Sequence, residues 1–219
     1  RAAYERNWSL MSKVLFVGFD VHAETIAVAV AEQGGEVRSL GAIPNRVESI
    51  RKMVHKIGPV KQLKACYEAG PTGYVLYWQL TQLGVDCQVI APSLIPTKAG
   101  DRVKTDRRDA EKLARCHRAG ELTSVWVPTA EQEALRDLVR AREAAKRDQL
   151  KARHRLGKFL LRHGRQRPEG VKAWTKKHRE WIKSHVRFEE AALEITLIDY
   201  VEEVDHVATR IVKLEKAIE

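Results

Sequence analysis

The chain has 219 residues, 44% of them hydrophobic, and carries a formal net charge of +10 with a pI near 9.6. Its length and apolar content suit one globular domain with an appendage and exclude a chain that is disordered throughout. The basic excess favours an anionic polymer as partner, no stretch approaches the ~18 apolar residues of a membrane span, and no signal-peptide h-region opens the N-terminus.

Residues 1–10 precede Met11 and are set aside as an upstream extension or cloning remnant. From Val14 to Val30 two β-branched apolar runs are separated only by Val-His-Ala-Glu, and a third run, Glu36 to Ile43, follows Gly34-Gly35. This predicts three consecutive antiparallel strands. Val47, Ile50, Val54 and Ile57 then recur at helical spacing and stop at Gly58-Pro59, after which Leu63 to Tyr67 reads as a buried strand. A helix from about Tyr74 to Leu83, a strand from Val85 to Ala91 and a helix from Asp106 to Arg118 complete the order β-β-β-α-β-α-β-α. That order predicts an α/β fold of the ribonuclease-H-like kind, a five-stranded mixed sheet flanked by helices.

After Pro128 the chain turns helical and charged. Residues 131–180 hold about 16 basic against about 7 acidic side chains, whereas 189–219 hold about 3 against about 9. Leu135, Leu138, Ala145, Ala152, Leu156 and Phe159 trace an interrupted seam on a long basic helix. Gly164 to Gly170 reads as a loop, and Val171 to Arg187 mixes Trp174 and Trp181 with lysine and arginine. Leu193, Leu197, Tyr200, Val204, Val207, Ile211, Leu214 and Ile218 alternate steps of four and three, which is coiled-coil spacing. The expected partner is the same segment of a second protomer in a homodimer or higher oligomer. An antiparallel hairpin with 131–163 is the alternative.

Four carboxylates carry the chemistry. Asp20 interrupts the first apolar run, Glu68 ends the fourth strand, and Asp106 and Asp109 sit one helical turn apart on one face. Converging carboxylates repel one another in a low-dielectric site and persist mainly where a hard cation such as Mg²⁺ or Mn²⁺ neutralises them. Phosphodiester cleavage or transfer is the expected chemistry. His22 shares a face with Asp20 by strand alternation, as a neighbour of the site or a solvated side chain. Gly70-Pro71-Thr72-Gly73 lacks the Lys-Ser/Thr of a phosphate loop and reads as a tight turn. Cys66, Cys87 and Cys116 lack zinc spacing and predict reduced thiols in a cytoplasmic protein.

Gly-Phe-Asp-Val-His, Tyr-Glu-Ala-Gly-Pro-Thr-Gly and Lys-Thr-Asp-Arg-Arg-Asp-Ala together resemble the DEDD insertion-sequence transposases whose elements encode a bridge RNA, and the related pilin-gene DNA invertases. The resemblance spans Met11 to about Glu219. It implies a RuvC-like domain over 11–128 with Asp20, Glu68, Asp106 and Asp109 as catalytic metal ligands, a helical coiled-coil region over 129–219, and a further serine-bearing catalytic domain outside this chain. The expected partners are DNA and a guide RNA, held through phosphate contacts of Lys104, Arg107, Arg108, Arg136, Arg140, Arg147, Lys151, Arg155, Lys176 and Lys177. The basic helix is otherwise a solvated face, and Trp174 and Trp181 either pack in a core or stack on bases. Two other functions fit the residues: a structure-selective nuclease similar to a Holliday-junction resolvase, and an RNA-binding assembly module with a relic site.

Overall fold

The computed structural model describes residues 14–97 and 105–219. The chain divides at Val127/Pro128 into two compact units, each with its own core. In the first unit β1 (Leu15–Val21), β2 (Thr25–Glu32) and β3 (Val37–Pro44) form an antiparallel meander. Helix α1 (Val47–Ile57) crosses to β4 (Leu63–Glu68), and α2 (Val75–Gln82) crosses to β5 (Asp86–Ile90). β4 lies parallel to both β1 and β5, so the sheet order is β3-β2-β1-β4-β5. Helix α3 (Asp106–Ala119) follows, capped by Thr105, whose hydroxyl accepts from the Arg108 N–H, and closed by Gly120 at φ 71°. This is the ribonuclease-H-like mixed sheet with flanking helices that the element order predicts.

Strand alternation divides the sheet into two unlike faces. Val17, Phe19, Ile26, Val28, Val30, Ala65, Tyr67 and Val89 point one way and meet Ile50, Met53 and Val54 of α1 and Leu76 and Leu80 of α2. Each large apolar side chain buried there contributes about 1.5–3 kcal/mol. The opposite face is built from small residues: Gly18, Ala27, Ala29 and Ala31 lie under Ala110 and Ala114 of α3. With so little side-chain bulk between them, helix and sheet approach closely. A Cβ added at Gly18 would stand 2.3 Å from the Ala110 carbonyl oxygen and 2.5 Å from the Ala114 nitrogen.

The second unit is helical. The capping box is reciprocal: the Thr129 hydroxyl accepts from the Gln132 N–H and the Gln132 side chain accepts from the Thr129 N–H, starting α4 (Ala130–Arg162). Helices α5 (Lys176–His185) and α6 (Ala191–Ile218) complete it. α4 and α6 run antiparallel, as three cross-helix ion pairs show: Arg142 with Glu215 at 2.8 Å, Asp148 with Arg210 at 3.3 Å and Arg155 with Glu203 at 2.5 Å. Leu193, Leu197, Tyr200 and Val204 of α6 pack with Ala152, Leu156, Phe159 and Leu160 of α4, and Val207, Ile211 and Leu214 pack about Ala145. The stripe expected to seek a second protomer is therefore covered within the chain by α4. Its premise, an exposed seam, does not hold for these seven positions; Ile218, near the end of α6, is half-buried.

Trp174 precedes α5 with φ 63°, the one non-glycine among the described residues in the left-handed region. Such a conformation costs of order 1–2 kcal/mol and persists where surroundings fix it. Here the Trp174 N–H donates to Nδ1 of His178 at 3.0 Å, and the His178 ring stacks on Trp181. Both tryptophans pack against the apolar cluster of α4, α5 and α6.

Candidate metal centre

The site lies on the small-residue face of the sheet. Asp20 follows Gly18 by two residues and Glu68 follows Cys66 by two, so both carboxylates belong to the face that α3 covers, at the C-terminal ends of β1 and β4. The last pair between these strands is Phe19 with Tyr67, which brings Glu68 level with Asp20 on the neighbouring strand. The turn after Glu68 is tied down: the Tyr67 hydroxyl donates to the Gly73 carbonyl at 3.0 Å, and the Ala69 N–H donates to the Ile90 carbonyl at 2.9 Å. Gly70 to Gly73 is thus a tight strand-to-helix turn, as its sequence predicts.

Two contacts aim α3 at the strand ends. Gly18 lets the helix axis settle against β1, and Arg118 near the helix C-terminus donates to the Glu32 carbonyl at 2.8 Å and to that of Gly35. The first turn of α3 then arrives beside Asp20. Asp106 and Asp109 both occupy that turn, where the helix dipole favours negative charge.

His22 Nε2 stands 3.2 Å from Oδ2 of Asp20 and 3.5 Å from Oδ1 of Asp106. These donor atoms all lie within 4.8 Å of one another. Burial pushes the Asp20 carboxyl above its ordinary proton affinity; His22 opposes the shift, while Asp106 and Asp109 add to it. Asp109 is therefore close enough to be felt electrostatically, although its oxygens stand outside the three-residue group, as do those of exposed Glu68. Donors bound to one octahedral cation at about 2.1 Å sit roughly 3 Å apart. The observed separations of 3.2 and 3.5 Å fit that spacing, and the carboxylate oxygens with one imidazole make a donor set that can hold a divalent cation. Strand alternation gave His22 its place on the Asp20 face, but the turn of α3 that brings Asp106 to it depends on Gly18, whose role no local pattern announces.

The residues expected to hold phosphate are less uniform. Lys104 lies outside the described residues. Arg107 pairs with Glu111 at 2.9 Å, Arg136 with Glu133 at 3.1 Å, Arg140 with Glu133 and Asp137, and Arg155 with Glu203. Lys176 stands 3.9 Å from Glu180. Arg108, Arg147, Lys151 and Lys177 are exposed. The basic excess of α4 is thus partly neutralised by its own acidic residues, which a net count along the sequence hides. Among the described residues no helix is long and apolar enough to cross a membrane.

Comparison with known proteins places these features. A family model described as a transposase, of the IS110-type DEDD class, matches residues 17–164. The protein y4qE of Sinorhizobium fredii, which bears a transposase name, is 48% identical over 192 residues, covering 86% of this chain and 49% of that protein. The transposase for insertion sequence element IS1533 of Leptospira borgpetersenii is 38% identical over 193 residues, covering 87% and 56%. The chain thus spans about half the length of these curated relatives. The RuvC structure of Thermus thermophilus aligns with 51% of this chain and 100% of its own at 12% identity and a TM-score of 0.35. On the extent of the family match and the identity to its curated relatives, the chain belongs to the IS110-type DEDD transposase family.

Proposed function

We propose that this chain carries the metal-dependent phosphodiester site of a transposase or site-specific recombinase acting on DNA, with Asp20, Glu68, Asp106 and Asp109 as the acidic set and His22 as an added donor. The observation that carries the reading is the meeting of Asp20, His22 and Asp106 at the end of β1, on the face where Glu68 and Asp109 also lie. A bound divalent cation would supply Lewis-acid polarisation of a phosphoryl oxygen. The residues would do the rest: Asp20, Asp106 and the His22 imidazole would hold the cation, and α3 fixes the spacing of the two aspartates. The basic residues of the second unit that are free of acidic partners contribute phosphate contacts. A guide RNA, as bridge-RNA elements employ, fits the same chemistry, with oligomerisation through surfaces other than the covered α6 seam.

The test is a Mn²⁺ titration by calorimetry, paired with nicking of supercoiled plasmid in Mg²⁺. Binding should be clear in wild type and at least tenfold weaker in Asp20→Asn and Asp106→Asn. Equal affinity in all three removes the site. Plasmid nicking with free ends from this chain alone would favour the hydrolytic, resolvase-like alternative.

A further inference from the structure

Several guanidinium groups of the second unit reach no carboxylate among the described residues, and two of them, on different helices, stand beside one tryptophan. Along α4, Arg136, Arg140, Arg142 and Arg155 each reach a carboxylate. Among the described residues Arg153 of α4 and Arg179 of α5 have no such partner. Arg153 stands 5.4 Å above the Trp174 ring, and its Nε is buried without a hydrogen-bond partner. Arg179 lines a hollow with Trp174, Leu156 and Ile182. Asp205 and Lys183 line the same hollow and pair with each other, and Glu180 beside it pairs with Lys176.

We propose that Arg153 and Arg179, meeting at the Trp174 corner, form a binding site for a backbone phosphate of nucleic acid. The inference rests on nucleic acid being the partner of this chain, as proposed above, and adds a site apart from the metal centre. Three features support it. A guanidinium stacked on an aromatic face keeps its in-plane N–H donors, the fork that matches two phosphate oxygens. The Trp174 platform is held in its unusual backbone conformation by the bond to buried His178, so Arg153 stacks on a fixed surface. The free protein also bears a repulsion that an anion would remove: Arg153 is held below the ordinary arginine range by burial and by the Arg179 charge, and Arg167 bears on His178 in the same way.

The experiment measures binding of a short labelled DNA duplex and a short labelled single-stranded RNA by fluorescence anisotropy over a series of salt concentrations. Wild type is compared with Arg179→Gln, Arg153→Gln, Arg153→Lys and, as a control on an exposed face, Lys213→Gln. Each arginine loss should weaken binding several-fold and flatten the slope of log K against log salt by about one unit for the strand that occupies the site. Arg153→Lys should recover the slope but not the full affinity, because a point charge lacks the fork. The probe whose slope changes identifies the strand as DNA or RNA. Arg179 is exposed, so its variant folds even if those at Arg153 do not. Slopes unmoved in Arg179→Gln with both probes overturn this site while the nucleic-acid reading stands. A wild type that binds neither probe overturns both.

Discussion

At Gly18 one methyl group decides whether α3 can lie where it does. Alanine there has no flexible neighbour to displace, since the atoms it meets are backbone of Ala110 and Ala114 and the Cβ of Leu113, which moves only with the helix. Gly18→Ala should therefore cost about 1–3 kcal/mol in urea unfolding of the first unit, and should weaken Mn²⁺ binding because α3 carries Asp106. A variant with unchanged stability and metal affinity contradicts the close approach. Asp20 offers a second test through pH. Its folded proton affinity is raised above the ordinary value of 3.8, so the folded protein holds that proton more tightly than the unfolded chain. The stability this supplies is complete below the unfolded value and is lost as pH rises through the folded one. In metal-free buffer Asp20→Asn should gain on wild type as pH rises above the ordinary value of 3.8 and through the raised folded one. Parallel urea midpoints for the two proteins over that window would show that Asp20 is not perturbed.

Among the elements, the hairpin of α4 and α6 bears the clearest consequence. Val204 is buried between them, so Val204→Asp places a carboxylate in an apolar seam at a cost of ~3 kcal/mol or more. Loss of helical circular dichroism from the second unit is expected, to the same extent at every protein concentration. Dissociation of a dimer with helicity intact would instead favour the intermolecular seam. His178 gives this unit an acid sensitivity: burial and the Arg167 charge depress its proton affinity below the usual 6.5. Its contribution to stability is present above that value and is lost as pH falls through the depressed folded value. Protonating Nδ1 also removes the acceptor for the Trp174 N–H, so tryptophan emission should change as pH falls below 6.5, and should stay flat in His178→Gln. The elements themselves were legible. Period-two and period-3.6 patterns, with Gly and Pro at the breaks, located the five strands and the helices on Val47–Ile57, Asp106–Ala119 and Ala130–Arg162 to within a few residues. Heptad spacing also identified the buried face of α6. It could not name what covers that face, because an apolar stripe has the same form against either partner.

On the scale of the molecule, two cores divided at Val127/Pro128 predict two separable unfolding events. Mn²⁺ at about 100 times its dissociation constant should stabilise the first unit by ~2.7 kcal/mol and leave the helical unit where it was. A calorimetric trace in which metal shifts both transitions equally would place the binding groups elsewhere. The net charge of +10 is likewise a property of the whole, and it misleads when assigned residue by residue. Place on a basic helix predicts phosphate contacts for Arg136, Arg140 and Arg155, yet each of them serves an acidic neighbour. Arg153 and Arg179 are far apart in sequence, so no spacing rule pairs them.

The ion pairs of the α4–α6 hairpin alternate in sign along each helix: positive, negative, positive from Arg142 through Asp148 to Arg155, against negative, positive, negative from Glu215 through Arg210 to Glu203. A heptad seam by itself tolerates a slide of seven residues, since apolar side chains would again meet apolar ones. The charges do not. Sliding one way sets Asp148 against Glu203, and sliding the other way sets Arg155 against Arg210. Each bridge on its own adds little at the surface, yet together they act as a key cut for one alignment, so the hairpin is fixed along its length as well as in its direction.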